Sequence, residues 1–356
     1  MRIGVPKEIK PLEGRVGLIP AACADLVRAG HAVFIERSAG VLAGYPDVAY
    51  TDLGVTVLAD AEQLYASAEL IIKVKEPIAG DLQWLRADHT LFCYLHLAAS
   101  RELTERLLAI GLTAVAFETV EHNRALPLLA PMSDIAGRLA IQIGAHLLHQ
   151  PQGGKGLLLG GLPASERGKV SVIGAGQAGG NAVAMAAAMG AEVTVFDTRR
   201  ERLEVMHALG ANVTALYPYA DAVDRAVRAA DLLVGAVLVP GAKAPHLVSH
   251  AQVRGMAPGS VIVDISVDQG GCIETTRPTT YADPTYSVDG VVHFCVTNMP
   301  GAVPRSAAQA LSAAILPYAL KLAGDADWRN DPALACGINV ERGEIRHPAV
   351  RAAFEG

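Results

Sequence analysis

The chain has 356 residues, 51% of them hydrophobic and 19% charged, which is enough for about two domains with large cores. Its formal net charge is −6 and no long basic run occurs, which argues against a nucleic-acid-binding protein. The N-terminus lacks the apolar core of a signal peptide, no apolar stretch is long enough to cross a bilayer, and the five cysteines are dispersed. These features predict a cytoplasmic protein with reduced thiols and no membrane partner.

Short β-branched runs alternate with helical patterns over the first 125 residues. The segment "RIGVP" predicts a strand, "LIPAACADLVRAG" a helix that ends at Gly30, and "HAVFIE" the next strand. The alternation continues through "ELIIKVKEP" and "LFCYLHLAAS", an apolar run that predicts a buried strand with His96 near its end. This β-α-β order predicts a parallel sheet covered by helices on both faces.

A long helical pattern spans 133–149, and the glycine-rich "PQGGKGLLLGGLP" that follows it indicates a hinge or a domain boundary. A second β-α-β region runs from about 169 to 299, and another long helix is predicted over 303–323. We therefore expect an α/β protein with two Rossmann-like doubly wound domains, linked by long helices, with a cleft between them. The expected domains are 1–128 with 303–356, and 129–302.

The segment "KVSVIGAGQAGGNAVAMAAAMGAEVTVFDTRR" carries the most specific local signal, in the order strand, glycine turn, helix, strand and acid. The glycines of its G-x-G-x-x-G motif are Gly174, Gly176 and Gly179. They permit a tight turn and let backbone N–H groups approach a pyrophosphate at the helix N-terminus. Asp197 can accept hydrogen bonds from ribose hydroxyls and would repel a 2′-phosphate, which favours NAD. Arg199 and Arg200 follow Asp197 and could bind a 2′-phosphate, so NADP stays an alternative. The structural alternative is a glycine turn that serves only the packing of the helix on the sheet.

Four ionisable residues fall near the ends of predicted strands or in loops. Lys75 ends "LIIKVK", His96 ends "LFCYLH", Asp268 follows "SVIVDISV", and Arg15 lies in the polar loop "EGRVGL". Ligands of open α/β sheets bind beyond the carboxyl ends of the strands, so these residues predict a site for a small carboxylate. Arginine and lysine hold carboxylates, and a histidine titrates in the range that suits proton transfer.

Structural roles stay open for the same residues. A histidine in an apolar run can be a hydrogen-bonded core residue, Lys75 can cap a strand, and the arginine can form a surface ion pair. Asp264 lies in an apolar run and is assigned a structural role. His89 and His122 lie in polar contexts and are expected to be solvated.

Seven segments resemble, in order, the alanine dehydrogenase family: "MRIGVPKEIKPLEGRVGLIP", "KVKEP", "LFCYLHLAAS", "LLAPMSDIAGRLA", "GAVLVPGAKAP", "VDQGGCIETTRPTT" and "CVTNMPGAVP". This family is similar to the NAD-binding subunit of proton-translocating transhydrogenases and, more distantly, to saccharopine dehydrogenase. The resemblance implies reversible, NAD-dependent oxidative deamination of L-alanine to pyruvate and ammonium in a homohexamer. It implies that Arg15 and Lys75 bind the substrate and that His96 and Asp268 are catalytic.

The resemblance also implies a set of NAD-binding residues: Ser133, Gly174, Gly176, Gln177, Ala178, Gly179, Asp197, Arg202, Val237, Leu238, Val267, Asp268, Arg277, Val296, Asn298 and Met299. Met132 and Met299 are candidates for an apolar wall that limits the substrate side chain, or are ordinary core residues. Some family members bind Mg²⁺, but only Glu118 matches a ligand position, so no metal is predicted. A dehydrogenase of another small amino or imino acid, and a catalytically silent transhydrogenase-like subunit, are the alternatives.

Overall fold

The computed structural model describes residues 1–237 and 245–355. The chain divides into two compact units, Met1–Met132 with Gly301–Gly356, and Ser133–Pro300. The described residues form one sheet of eight strands and one of seven, each mostly parallel and flanked by helices. The predicted fold class, two Rossmann-like doubly wound domains, is confirmed.

The first unit begins with alternating strands and helices. Its elements up to residue 132 are β1 (Arg2–Val5), α1 (Pro20–Arg28), β2 (Ala32–Glu36), α2 (Asp47–Thr51), β3 (Thr56–Leu58), α3 (Ala61–Ser67), β4 (Leu70–Ile72), α4 (Ala79–Leu82), β5 (Thr90–Cys93), α5 (Arg101–Ile110) and β6 (Thr113–Ala116). Helix α1 begins at Pro20, and proline costs nothing there because the first N–H groups of a helix have no partner within it. The helix ends before Gly30, which has a φ of +86°.

Strand order in the first unit is β15-β14-β6-β5-β4-β1-β2-β3, with β1 to β6 mutually parallel. The chain runs outward from β1 to β3 and then returns to place β4 on the other side of β1. Loops that leave β1 and β4 therefore diverge at this topological switch point, where doubly wound sheets bind ligands.

The second unit repeats this winding. Elements within 130–300 are α6 (Ala130–Leu147), β7 (Lys169–Ile173), α7 (Gln177–Ala188), β8 (Glu192–Phe196), α8 (Arg200–His207), β9 (Val213–Leu216), α9 (Ala220–Ala229), β10 (Leu232–Gly235), α10 (His250–Arg254), β11 (Val261–Asp264), β12 (Thr285–Val288) and β13 (Val291–Phe294). The strand order is β12-β13-β11-β10-β7-β8-β9, and among the strands that the structure describes here only β12 is antiparallel to its neighbour. The switch point of this sheet lies between β7 and β10.

The C-terminal segment belongs to the first unit. Its elements are α11 (Pro304–Gly324), α12 (Pro332–Gly337), β14 (Ile338–Glu341), β15 (Glu344–Ile345) and α13 (Pro348–Glu355). Strand β14 pairs antiparallel with β6 and so extends the first sheet. Within the part of the chain that the structure describes, no helix is both long and apolar enough to cross a membrane.

The polar-context histidines differ from each other. His122 is exposed, as expected, but the prediction that His89 is solvated is wrong, because only 1% of it is exposed. Its ring accepts the Arg86 N–H at 3.1 Å through Nδ1, and Nε2 lies 3.0 Å from the carbonyl oxygen of Tyr65. These two backbone partners satisfy the ring, so burial costs little. Burial also lowers the His89 pKa, which keeps the ring neutral.

Candidate active site

A glycine turn links β7 to α7 in the second unit. Gly174 has a φ of +99°, which a residue with a side chain rarely adopts. A Cβ on Gly179 would lie 1.8 Å from the Gly174 carbonyl oxygen, so the helix approaches the strand more closely than any side chain allows. Gly176 is the N-cap of α7 and brings no side chain to its first turn. The backbone N–H groups of that turn, from Gln177 to Gly179, therefore form a cradle of the kind that holds a pyrophosphate.

Asp197 directly follows β8, and its carboxylate hydrogen-bonds the glycine turn that follows β7. Asp197 is 8% exposed. Its Oδ2 accepts the Ala175 N–H at 2.9 Å and lies 3.1 Å from Nη1 of Arg202, and Oδ1 accepts the Arg199 N–H at 2.9 Å. A carboxylate offers about four lone-pair sites, which leaves one for a ribose hydroxyl. Arg199 and Arg200 are exposed, and Arg200 pairs with a glutamate of its own helix.

The switch point of the second sheet places Val237 against the same turn. Ile173 and Gly235, the last residues of β7 and β10, are paired in register. A Cβ on Gly174 would lie 3.3 Å from a methyl carbon of Val237, whose N–H donates to Ser266 at 2.9 Å. Leu238, also predicted to bind NAD, lies outside the described residues.

Ser133 lies near the glycine turn because α6 packs against α7. Gln177 and Asn181 donate to Oδ1 of Asp134 at 2.5 and 2.7 Å. A Cβ on Gly137 would lie 2.0 Å from the Ala178 carbonyl oxygen, so the two helices almost touch. Ser133 immediately precedes Asp134 and so lies beside the first turn of α7.

Asp264 ends β11 and shapes the loop that carries Asp268. It is fully buried, and its carboxylate accepts the N–H groups of Ser266 and Cys272 and the hydroxyl of Thr276. Burial raises the Asp264 pKa, and these hydrogen bonds oppose that rise. Asp268 lies in the 3₁₀ turn Val267–Gln269, with its side chain exposed, whereas Val267 is buried.

Two of the remaining predicted NAD residues, Arg277 and Met299, contact Tyr286 and Tyr281. Arg277 stacks its guanidinium 4.1 Å from the centroid of the Tyr286 ring and donates its N–H to that hydroxyl. Met299 is buried, and its carbonyl accepts the Tyr281 hydroxyl at 2.8 Å. Val296 is buried and Asn298 half-buried in the same segment.

Arg15, in the loop after β1, is buried and not exposed at the surface. Only 2% of it is accessible; Nε and Nη2 donate to the two carboxylate oxygens of Glu13 at 2.7 and 2.6 Å, and Nη1 donates to the Met132 sulfur at 3.1 Å. Burial alone would lower the Arg15 pKa, but the hydrogen bonds and charge of Glu13 outweigh it and raise the pKa. The alternative of a surface ion pair is therefore wrong.

Lys75 lies three residues beyond the end of β4 rather than in the strand. Oε1 of Glu8 accepts the N–H of Val74 at 2.6 Å and that of Lys75 at 3.4 Å, and Oε2 pairs with the buried Lys73. Burial lowers the Lys75 pKa; the charge of Glu76 opposes this, and that of Arg15 adds to it.

His96 differs most from the sequence prediction. Strand β5 ends at Cys93, and His96 is an exposed residue with a φ of +50° and a ψ of 37°. Its ring stacks on Tyr94, with centroids 6.0 Å apart and planes 8° from parallel. Its N–H donates to Oε1 of Glu118 at 2.6 Å. The alternative of a hydrogen-bonded core histidine is wrong, because the chain turns outward after the fully buried Leu95.

Tyr94, on which the His96 ring stacks, is buried. Its hydroxyl donates to the Leu128 carbonyl at 2.5 Å, and burial raises its pKa while the Arg15 charge opposes the rise. Arg15, Lys75 and His96 thus all follow the carboxyl ends of three adjacent parallel strands, β1, β4 and β5. Sequence reasoning missed the four residues that hold them: Glu8, Glu13, Tyr94 and Glu118. Glu118 was noted only as a metal-ligand match, and the described residues contain no group of three or more His, Cys, Asp or Glu side chains that could hold a metal ion.

Both halves of the chain match known family models. The model "Alanine dehydrogenase/PNT, N-terminal domain" matches residues 4–136, and "Alanine dehydrogenase/PNT, C-terminal domain" matches residues 140–348. The chain belongs to the alanine dehydrogenase/PNT family. The resemblance seen in the sequence is confirmed.

Individual relatives cover the whole chain. An alanine dehydrogenase of Halomonas elongata is 49% identical over 99% of this chain and 97% of its own length. A solved L-alanine dehydrogenase is 52% identical, covers 100% of this chain and 99% of its own, and superposes with a TM-score of 0.96. The transhydrogenase from Sinorhizobium meliloti is 26% identical, covers 98% and 100%, and has a TM-score of 0.85.

Proposed function

We propose that the chain catalyses the reversible NAD-dependent oxidative deamination of L-alanine to pyruvate and ammonium. Full-length similarity to alanine dehydrogenases supports this activity. The observation that assigns this activity to particular residues is the position of Arg15, Lys75 and His96, which all follow the carboxyl ends of strands in the first sheet. Two cations beside a proton-transfer group suit a small 2-oxo or 2-amino acid.

Arg15 and Lys75 hold the substrate. Glu13 fixes the plane of the Arg15 guanidinium, so this side chain presents a preset arrangement of N–H donors to a carboxylate. Lys75 adds a half-buried ammonium for the carboxylate or the carbonyl oxygen. Holding the substrate in a reactive orientation lowers the barrier by about 7–11 kcal/mol in favourable cases.

His96 moves the protons. Its imidazole is solvent-accessible and is oriented by Tyr94, so it can take a proton from the water that adds to the substrate carbon and return it when ammonia leaves. Proton transfer of this kind contributes about 10²–10⁴-fold to the rate. Asp268, exposed in its 3₁₀ turn, is proposed as the second catalytic residue, which stabilises the cationic nitrogen of the substrate.

The glycine turn of the second unit fits the NAD pyrophosphate, and Asp197 fits the adenosine ribose. NAD, when bound, accepts the hydride from the α-carbon of alanine. The proposed contacts are Ser133, Gly174, Gly176, Gln177, Ala178, Gly179, Asp197, Arg202, Val237, Leu238, Val267, Asp268, Arg277, Val296, Asn298 and Met299. Met132 and Met299 are proposed to limit the size of the substrate side chain.

The proposed assignment of domains is substrate binding by 1–128 with 303–356, and NAD binding by 129–302. We propose a cytoplasmic homohexamer with no nucleic-acid or membrane partner. The likeness to the Sinorhizobium meliloti transhydrogenase supports a second candidate, a subunit that binds NADH without turning over an amino acid. The presence of Arg15, Lys75, His96 and Asp268 favours the dehydrogenase.

NADH oxidation with pyruvate and ammonium tests the proposal. Turnover that requires both substrates, and that falls with glyoxylate or 2-oxobutyrate in place of pyruvate, supports alanine dehydrogenation. Tight NADH binding without turnover on any of these substrates would favour the transhydrogenase-like subunit.

A further inference from the structure

Glu118 and His96 come from adjacent parallel strands of the first sheet. Strands β5 and β6 pair in register, with Cys93 opposite Ala116. His96 follows the first strand by three residues and Glu118 follows the second by two. The carboxyl ends of parallel strands meet at one edge, so these two residues meet there although 22 positions separate them.

The Glu118 carboxylate binds two successive backbone N–H groups. Oε1 accepts the His96 N–H at 2.6 Å, and both oxygens lie 3.2 Å from the N–H of Leu95. Successive backbone N–H groups make an anion-binding concavity where a right-handed residue is followed by a left-handed one. His96 is left-handed, and Glu118 supplies the anion.

The left-handed conformation is unfavourable for a residue with a side chain, so something must hold His96 in it. Charge-assisted hydrogen bonds are about twice as strong as neutral ones, and the two N–H groups lie beside the buried Tyr94 and Leu95. The backbone conformation of His96 sets the direction of its Cβ and therefore the place of its ring on Tyr94.

We propose that Glu118 is a positioning residue that fixes His96 in its left-handed conformation and thereby aims the imidazole at the substrate, an inference that rests on the proposed role of His96. Glu118 does not touch the substrate in this scheme. It acts through the backbone of one residue, so its contribution to turnover disappears when the imidazole is absent.

The first variant is Glu118→Gln, which keeps the shape but removes the charge and one acceptor oxygen. A misplacement of about 1 Å at a catalytic group can cost about a hundredfold, so we expect kcat to fall by about 10–100-fold. The dissociation constant of NADH, which the other unit is proposed to bind, should stay within about twofold because E118Q leaves the glycine turn intact. The pyruvate KM should change by less than about threefold, because Arg15 and Lys75 are untouched.

A double-mutant cycle with His96→Ala decides whether Glu118 acts through His96. We expect E118Q to lower the residual kcat of H96A by less than about threefold. The inference would be overturned if E118Q lowered kcat by the same factor in the wild-type and H96A backgrounds. It would also be overturned if E118Q kept the wild-type kcat while H96A was impaired. Either result would leave the proposed function standing. Wild-type turnover by H96A would overturn the proposed role of His96, and this inference with it.

Asp331→Asn is a matched control from the same unit. Asp331 also accepts two successive backbone N–H groups, from Ala333 and Leu334 at 3.0 and 3.1 Å, but at the start of α12. We expect D331N to change kcat by no more than about twofold, because Asn caps a helix about as well as Asp. If E118Q does not fold, Glu118→Asp takes its place in the same cycle, because its shorter side chain withdraws the carboxylate from the two N–H groups.

Discussion

Glu13 and Arg15 form a buried ion pair in which Nε and Nη2 of the guanidinium lie 2.7 and 2.6 Å from the two carboxylate oxygens. The residues are 4% and 2% exposed, so water screens neither charge. A bidentate pair of this kind fixes the plane of the guanidinium and neutralises it in the absence of substrate. The loop after β1 thus presents Arg15 in one orientation at the switch point of the sheet.

Glu13→Gln should destabilise the first unit and weaken substrate binding. Removing one partner of a buried pair leaves an uncompensated charge and costs about 3–5 kcal/mol. Urea unfolding measures the loss of stability, and the pyruvate KM, which we expect to rise, reports the orientation of Arg15. Glu69→Gln is the control, because it breaks the exposed Arg2–Glu69 pair and should cost at most about 1 kcal/mol. Equal, small effects of both variants would contradict the role of Glu13.

Lys75 should set an alkaline limit on pyruvate binding. Burial holds its pKa below the ordinary 10.5, so the ammonium is lost at lower pH than in an exposed lysine. The dissociation constant of pyruvate from the enzyme–NADH complex should be flat below the Lys75 pKa and rise by about tenfold per pH unit above it. Fluorescence titration across pH measures this midpoint.

Lys75→Arg tests the assignment of that limit. Arginine stays protonated up to a pH of about 12, so the alkaline rise should vanish in this variant even if binding is weaker throughout. A wild-type midpoint at or above 10.5, or an unchanged rise in K75R, would count against Lys75 as the titrating group.

Asp197→Asn should relax the preference for NADH over NADPH. The change removes the charge that repels a 2′-phosphate and releases Arg202, now 3.1 Å from Oδ2, to bind one. We expect the ratio of kcat/KM values for NADH and NADPH to fall by at least tenfold, about 1.4 kcal/mol. Asp224→Asn, which removes a surface carboxylate of the same unit, should leave the ratio unchanged. A constant ratio in D197N would remove Asp197 from ribose recognition.

The apolar runs of the sequence predicted the sheets well but placed the strand ends too late. Strands β4 and β5 end at Ile72 and Cys93, yet Val74 and Leu95 beyond them are fully buried. Hydrophobicity reports burial, whereas a strand ends where its hydrogen-bonded partner leaves. His96 therefore seemed part of a buried strand when it lies in the exposed turn that follows.

The dinucleotide turn was predictable because all its parts are local in the sequence. The carboxylates that hold the candidate catalytic residues were not, since Glu8 and Glu118 meet their backbone partners only after the sheet forms. Glu8 lies 66 residues from Val74 in the sequence, and no local pattern in either segment predicts their contact. Glu13 is the exception, because a glutamate two positions before Arg15 is a local signal that the sequence does contain.

His96→Ala tests the central claim, that this imidazole is the general acid and base, most directly. The variant removes the ring that stacks on Tyr94 and leaves the glycine turn of the other unit unchanged. We expect kcat for pyruvate amination to fall by at least about a hundredfold, with the dissociation constant of NADH within about twofold of wild type. A kcat near the wild-type value, with NADH still bound, would contradict the account.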